Sequence, residues 1–79
     1  MINCKIISET KLESYTNILS IRVPSLKGAI EILSNHPEMF LILKQGNVIL
    51  KNFENSNNIQ KISGGYLHVI NNEISIVIE

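Results

Sequence analysis

The sequence predicts an all-β domain, a sandwich or barrel of about nine short strands. Three observations lead there. The apolar residues are overwhelmingly Ile, Leu and Val, with no Trp and only two Phe and two Tyr, a composition that suits pleated, half-buried strands. Apolar and polar residues alternate in several short runs, the period-two pattern of a strand with one wet face. Between the runs stand turn-favouring residues, at Asn55, Asn57, Asn58, Asn71, Asn72 and Gly64-Gly65.

Taken in order, Asn3–Ile7 is a short strand ending at the turn Ser8-Glu9-Thr10, and Leu12–Tyr15 is a brief second strand. From Asn17, Ile21 and Val23 alternate with Ser20 and Arg22 until Pro24 ends the run. Leu26–Asn35 supports two readings. Ser25 as N-cap, helical spacing of Leu26, Ala29, Ile30 and Leu33, and Pro37 as a stop describe a helix. Gly28 opposes it, because glycine costs about 0.8–1 kcal/mol against alanine in a helix interior, and Ile30 and Ile32 around Glu31 alternate as a strand would. Met39–Leu43 is a continuous apolar run that suits a strand buried on both faces. A turn at Gln45-Gly46-Asn47 leads into the strand Val48–Phe53, and the polar tract Glu54–Asn58 reads as turn. Ile59–Ile62 is short and broken by Gly64-Gly65. Tyr66–Ile70 and Glu73–Ile78 form a hairpin through Asn71-Asn72, with Ile74, Ile76 and Ile78 facing one way and Ser75 and Val77 the other.

At 79 residues the chain is expected to make a single domain, residues 1–79, that buries only about 60–65% of its unfolded surface. Formal net charge is zero and the lysines are scattered, whereas nucleic-acid binding needs a basic patch against phosphates. No nucleic-acid partner is therefore expected. Cys4 is the single cysteine, so no disulfide framework is expected and a reducing compartment is favoured. No apolar run approaches bilayer length and MINCKIISETK has no signal-peptide core. The expectation is a protein that meets a membrane only through a partner.

The sequence is poor in catalytic groups. Aspartate is absent, which removes Asp-containing triads and two-Asp pairs. His36 lies between Glu31 and Glu38, and a metal-dependent enzyme centred there requires one of these carboxylates to converge on the ring; the alternative is a turn histidine between solvated acids. His68 reads as a partly exposed strand residue beside Tyr66 and Ile70. Cys4 reads as a small buried hydrophobe, and Lys44 beside Gly46 as a turn lysine. Gly64-Gly65 lacks the Lys-Ser/Thr of a phosphate loop. No catalytic residue, metal or cofactor is expected, and the chain reads as a binding or structural part.

The order of residues goes further. Val23-Pro24, Gly28, Ile32-Leu33, His36, Leu43-Lys44 and Gly46, followed by Ser63-Gly64-Gly65-Tyr66-Leu67 and Val69, resembles the N-terminal β-sandwich domain of the epsilon subunit of F-type ATP synthase. That family shows Val-Pro, a glycine-rich turn, Gly-Ile-Leu-Pro-x-His-x-Pro, Leu-Lys-x-Gly and Ser-Gly-Gly-Phe/Tyr-Leu-x-Val. Here the second turn glycine is Glu31, the prolines flanking the histidine are Ser34 and Glu38, and Ala29 stands where an acid is usual. The resemblance implies a small β-sandwich of about nine or ten strands in two packed sheets, with the region of Leu26–Asn35 a strand and turn. It implies a central-stalk subunit coupling the gamma subunit to the c-ring of a proton-translocating synthase, on the cytoplasmic face of a bacterial plasma membrane or the equivalent organelle face. Residues matching the ring-facing loop are Leu26, Lys27, Gly28, Ala29, Ile30 and Glu31. Those matching the gamma-facing side are Ser8, His36, Met39 and Leu41; Leu26, Met39 and Leu41 suit an interface core if exposed, while Met39 and Leu41 read equally well as ordinary core strand residues. The family continues into two C-terminal helices. If the end at Glu79 is natural, the expectation is a short form lacking that arm. The alternative is a β-sandwich module, unrelated to ATP synthase, that binds a peptide or small ligand at an exposed edge.

Overall fold

A computed structural model describes residues 1–54 and 56–79, so the turn read at Asn55 lies outside the described residues. Eight strands are seen: β1 (Ile2–Ile7), β2 (Leu12–Ser25), β3 (Gly28–Leu33), β4 (Met39–Leu43), β5 (Gly46–Asn52), β6 (Asn57–Ile62), β7 (Gly65–Ile70) and β8 (Glu73–Ile78). The all-β class stands, and the strands are fewer than expected for a specific reason. The two segments read around Leu12–Tyr15 and Asn17–Val23 run together as one strand of 14 residues.

That strand joins the two layers. Its first half pairs with β1 from Leu12 to Ile18, and its second half pairs with β5 from Ile18 to Arg22 and with β3 from Ser20 to Ser25. Asn17 sits at a left-handed φ of 56°, and the pairing register slips at two points, opposite Ile2/Cys4 and between Ile18 and Ser20. Bulges of this kind bend a strand and let it change sheets. Ser20 and Ile21 are consecutive and both buried, which marks the reversal of inward-facing phase. One layer is thus β4-β7-β8-β1 with the first half of β2; the other is β3, the second half of β2, β5 and β6. β1 and β8 lie parallel, the only such pair among the described strands, which sets the first and last strands side by side with the two termini at opposite ends of the pair.

Alternation along each strand fills the core. Ile2, Cys4 and Ile6 of β1 meet Leu67, Val69, Ile74 and Ile76 of the hairpin and Ile21, Val23, Ile32, Val48 and Leu50 of the opposite layer. The β7–β8 turn is the expected two-residue one, with Asn71 and Asn72 at φ 51° and 62°. Two glycines are required by geometry. Gly28 follows the Leu26-Lys27 turn at φ 107°. Gly65 has φ 147°, and a Cβ there would collide with the Val77 carbonyl oxygen.

Three local expectations are corrected. Ser25 caps no helix; its Oγ accepts from the Lys27 amide at 3.1 Å and donates to the Gly28 carbonyl at 2.7 Å, tying the β2–β3 turn. Asn57 and Asn58 belong to β6 and not to a turn, because both pair in register with β5. β4 is not buried on both faces: Phe40 and Ile42 are 58% and 48% exposed, since no element covers the outside of its layer among the described residues.

Candidate functional site

Outward-facing positions of the five-stranded layer fall in rows, because residues opposite each other in register share a face. One row runs Ile42 (β4), Tyr66 (β7), Val77 (β8), Ile7 (β1) and Leu12 (β2). It is apolar on every strand. Leu12 is 63% exposed and Tyr66 43%, while Ile7 and Val77 are half-buried between neighbours. The Phe40 ring stacks on Tyr66 at a centroid distance of 5.4 Å and widens the band. The next row on the same face, His68, Ser75, Lys5 and Ser14, is polar apart from Phe40. The apolar band therefore lies at one end of the layer.

The β2–β3 turn stands at that same end. Ser25 pairs with Leu43, the Leu26 amide donates to the Ile42 carbonyl at 3.2 Å, and the Lys44 amide donates to the Pro24 carbonyl at 2.9 Å. Leu26 is 67% exposed and shares a hollow with Lys27, Phe40 and Ile42, so it extends the band around the corner of the sandwich. Of the loop read as ring-facing, Lys27, Ala29 and Glu31 are exposed and Gly28 forms the turn, whereas Ile30 is half-buried and packs on the core. Strand β3 alternates, so Ile30 points opposite to Ala29 and Glu31.

The four residues read as gamma-facing do not form one cluster. Ser8 closes the β1–β2 turn, its Oγ accepting from the Lys11 amide at 3.2 Å, at the end of the layer that carries the apolar band. His36 lies at the opposite end, on the β3–β4 connection beside the Asn71-Asn72 turn. Met39 and Leu41 are half-buried and pack against the core. Of the two readings of Met39 and Leu41, the structure favours core over exposed contact: alternation on β4 turns them inward and puts Phe40 and Ile42 outside.

Among the described residues no carboxylate converges on His36. Its Nδ1–H donates to the Pro37 carbonyl at 2.8 Å, and the Glu38 carboxylate instead accepts from His68 Nε2 at 2.9 Å. Among the described residues no three His, Cys, Asp or Glu side chains gather as metal ligands. Cys4 is buried in the core, and that burial pushes its thiol up from 9.0 to about 12, so it stays protonated and poorly nucleophilic at neutral pH. Tyr15 is also pushed up, first by burial and then by the charge and hydrogen bond of Glu13.

Two features escaped the sequence. The apolar band was hidden because its members come from five strands, and strand register is a long-range property. The Asn35–Asn72 contact, 37 residues apart in the chain, gave no signal beyond the tolerance of asparagine for positive φ.

Comparison with known proteins agrees with this architecture. The family described as ATP synthase, Delta/Epsilon chain, β-sandwich domain matches residues 1–79. The chain is 30% identical over 60 residues to the ATP synthase epsilon chain of Endomicrobium trichonymphae, which covers 76% of this chain and 43% of that protein. In fold it is similar to a chain in the Euglena gracilis mitochondrial ATP synthase (OSCP/F1/c-ring), with TM-score 0.87 and 18% identity over 98% of this chain and 49% of that one. A chain of the Tetrahymena thermophila mitochondrial ATP synthase central stalk and c-ring matches with TM-score 0.81 and 14% identity, over 98% of this chain and 62% of that one. The 79 residues thus span less than two thirds of each of these relatives.

Proposed function

Because the chain belongs to the ATP synthase delta/epsilon family through its β-sandwich domain, we propose that it is a non-catalytic central-stalk subunit of epsilon type, coupling the gamma subunit to the c-ring of a proton-translocating synthase. The single observation that carries this reading is the bare apolar band from Leu26 through Ile42, Tyr66, Val77 and Ile7 to Leu12. A contiguous apolar strip on a small protein marks a surface that another protein covers, and its polar borders match the rim of an interface.

The gamma subunit lies along the outer face of the five-stranded layer, between Ser8 at one end and His36 at the other. Phe40, Ile42 and Tyr66 make the apolar contact, and Met39 and Leu41 support the strand from beneath. The β2–β3 turn meets the polar loops of the c-ring, Leu26 inserting while Lys27, Ala29 and Glu31 form the exposed rim around Gly28 and Ile30. A close-packed sandwich transmits strain instead of absorbing it, so one domain over residues 1–79 passes torque between ring and head. The subunit sits on the cytoplasmic face of a bacterial plasma membrane, or the equivalent organelle face, and is held there by the complex alone.

Co-purification of the tagged chain from its own organism tests the reading. Recovery of gamma and the c-ring supports it; a chain that never associates with a synthase contradicts it.

A further inference from the structure

The β3–β4 connection, residues 34–38, is tied down on the β7–β8 hairpin at both ends. At the first end the Asn35 amide donates to Asn72 Oδ1 at 2.6 Å and Asn72 Nδ2 donates back to Asn35 Oδ1 at 3.3 Å. At the second, His68 Nε2 on β7 donates to Glu38 Oε2. His36 is suspended between them, beside a hollow bordered by Pro37, Ile70 and Asn71. Asn72 reaches a third segment as well, its carbonyl accepting from the Asn3 amide at 3.0 Å.

Backbone conformation alone does not call for asparagine here. Asn35 and Asn72 lie at φ 68° and 62°, and glycine adopts that region at least as readily. Asn71 is an internal comparison: it shares the turn, has φ 51°, and among the described residues its side chain makes no hydrogen bond. The Asn72 side chain is thus engaged with Asn35 beyond what the turn requires.

We infer that Asn72 is a positioning residue: by clasping Asn35 it holds the 34–38 connection, and His36 with it, in the geometry that meets the gamma subunit. The inference rests on the function proposed above. Without the clasp the connection keeps its strand anchors, the local His36–Pro37 hydrogen bond and the solvent-exposed Glu38–His68 pair, which holds weakly. His36 then samples many positions, and ordering it on binding lowers affinity.

The test compares Asn72→Gly, Asn71→Gly and Asn72→Asp in the 79-residue chain. Glycine keeps the turn conformation at either position, so Asn72→Gly removes only the clasp. Asn72→Asp keeps the acceptor for the Asn35 amide and loses the donor. Backbone amide order parameters and hydrogen exchange over residues 34–38 report the connection, and titration with gamma reports affinity. Asn72→Gly is expected to loosen residues 34–38 and weaken gamma binding by roughly fivefold to tenfold, the worth of about one hydrogen bond. Asn71→Gly should match the unaltered chain, and Asn72→Asp should fall between. Unchanged order after Asn72→Gly overturns the inference, as does a loosened connection with unchanged affinity. If the unaltered chain does not bind gamma, the functional reading itself falls and takes the inference with it.

Discussion

Ile42 on β4 stands opposite Tyr66 on β7, both on the outer face, while Leu41 next to Ile42 packs inward on the core. Adjacent residues on one strand therefore separate surface from stability. Ile42→Glu should leave the fold within about 1 kcal/mol of the unaltered chain, because the new charge stays in water. Leu41→Glu should cost about 1–3 kcal/mol, because it places a carboxylate against the core. Urea unfolding of the two variants checks this, and equal losses would show that β4 does not alternate as described.

Gly64 and Gly65 are neighbours with different demands. A Cβ on Gly65 meets the Val77 backbone at φ 147°, whereas one on Gly64 comes 3.1 Å from the Glu79 carboxylate, a flexible side chain. Gly65→Ala should destabilise by about 1–3 kcal/mol and Gly64→Ala by less than about 1 kcal/mol. Thermal melts of the pair decide it.

The Cys4 thiol gives an alkaline dependence. Its pKa is about 12 in the folded chain against 9.0 for the free group, so the unfolded chain loses the proton first. The associated stability is full below about pH 9 and is lost as pH rises toward 12. Tyr15, also raised, acts in the same direction, so some slope persists without Cys4. Urea midpoints measured from pH 7 to 11 should fall more steeply for the unaltered chain than for Cys4→Ala. Parallel curves would contradict the buried thiol.

Glu38 and His68 meet at 2.9 Å with side chains 62% and 41% exposed. Exposed pairs contribute little, so Glu38→Gln should change stability by less than about 1 kcal/mol at low salt, and by less still at high salt. A double-mutant cycle with His68→Ala at two ionic strengths measures this coupling.

Local pattern made the β7–β8 hairpin legible, since Asn71-Asn72 between alternating runs names its own turn and register. The Val23–Gly46 stretch was ambiguous locally: helix and strand readings of Leu26–Asn35 differ little in propensity, and only the ordered motif set favoured a strand. What stayed hidden depended on pairing between distant segments. The five apolar residues of the outer row become neighbours only when β4, β7, β8, β1 and β2 take their places. Met39 and Leu41 stay open between core and surface in the sequence because a run of five apolar residues carries no sign of which face is covered.

In the proposed function the band on the five-stranded layer docks the gamma subunit. Titrating gamma from the same organism into the folded chain, with Ile42→Glu and Ile59→Glu compared, tests that contact. Ile59 is also exposed, on β6 of the other layer, and so controls for added charge. Docking through the band predicts that Ile42→Glu weakens binding by about tenfold or more while Ile59→Glu binds as the unaltered chain does. Equal affinity for all three chains, or a loss confined to Ile59→Glu, would contradict it.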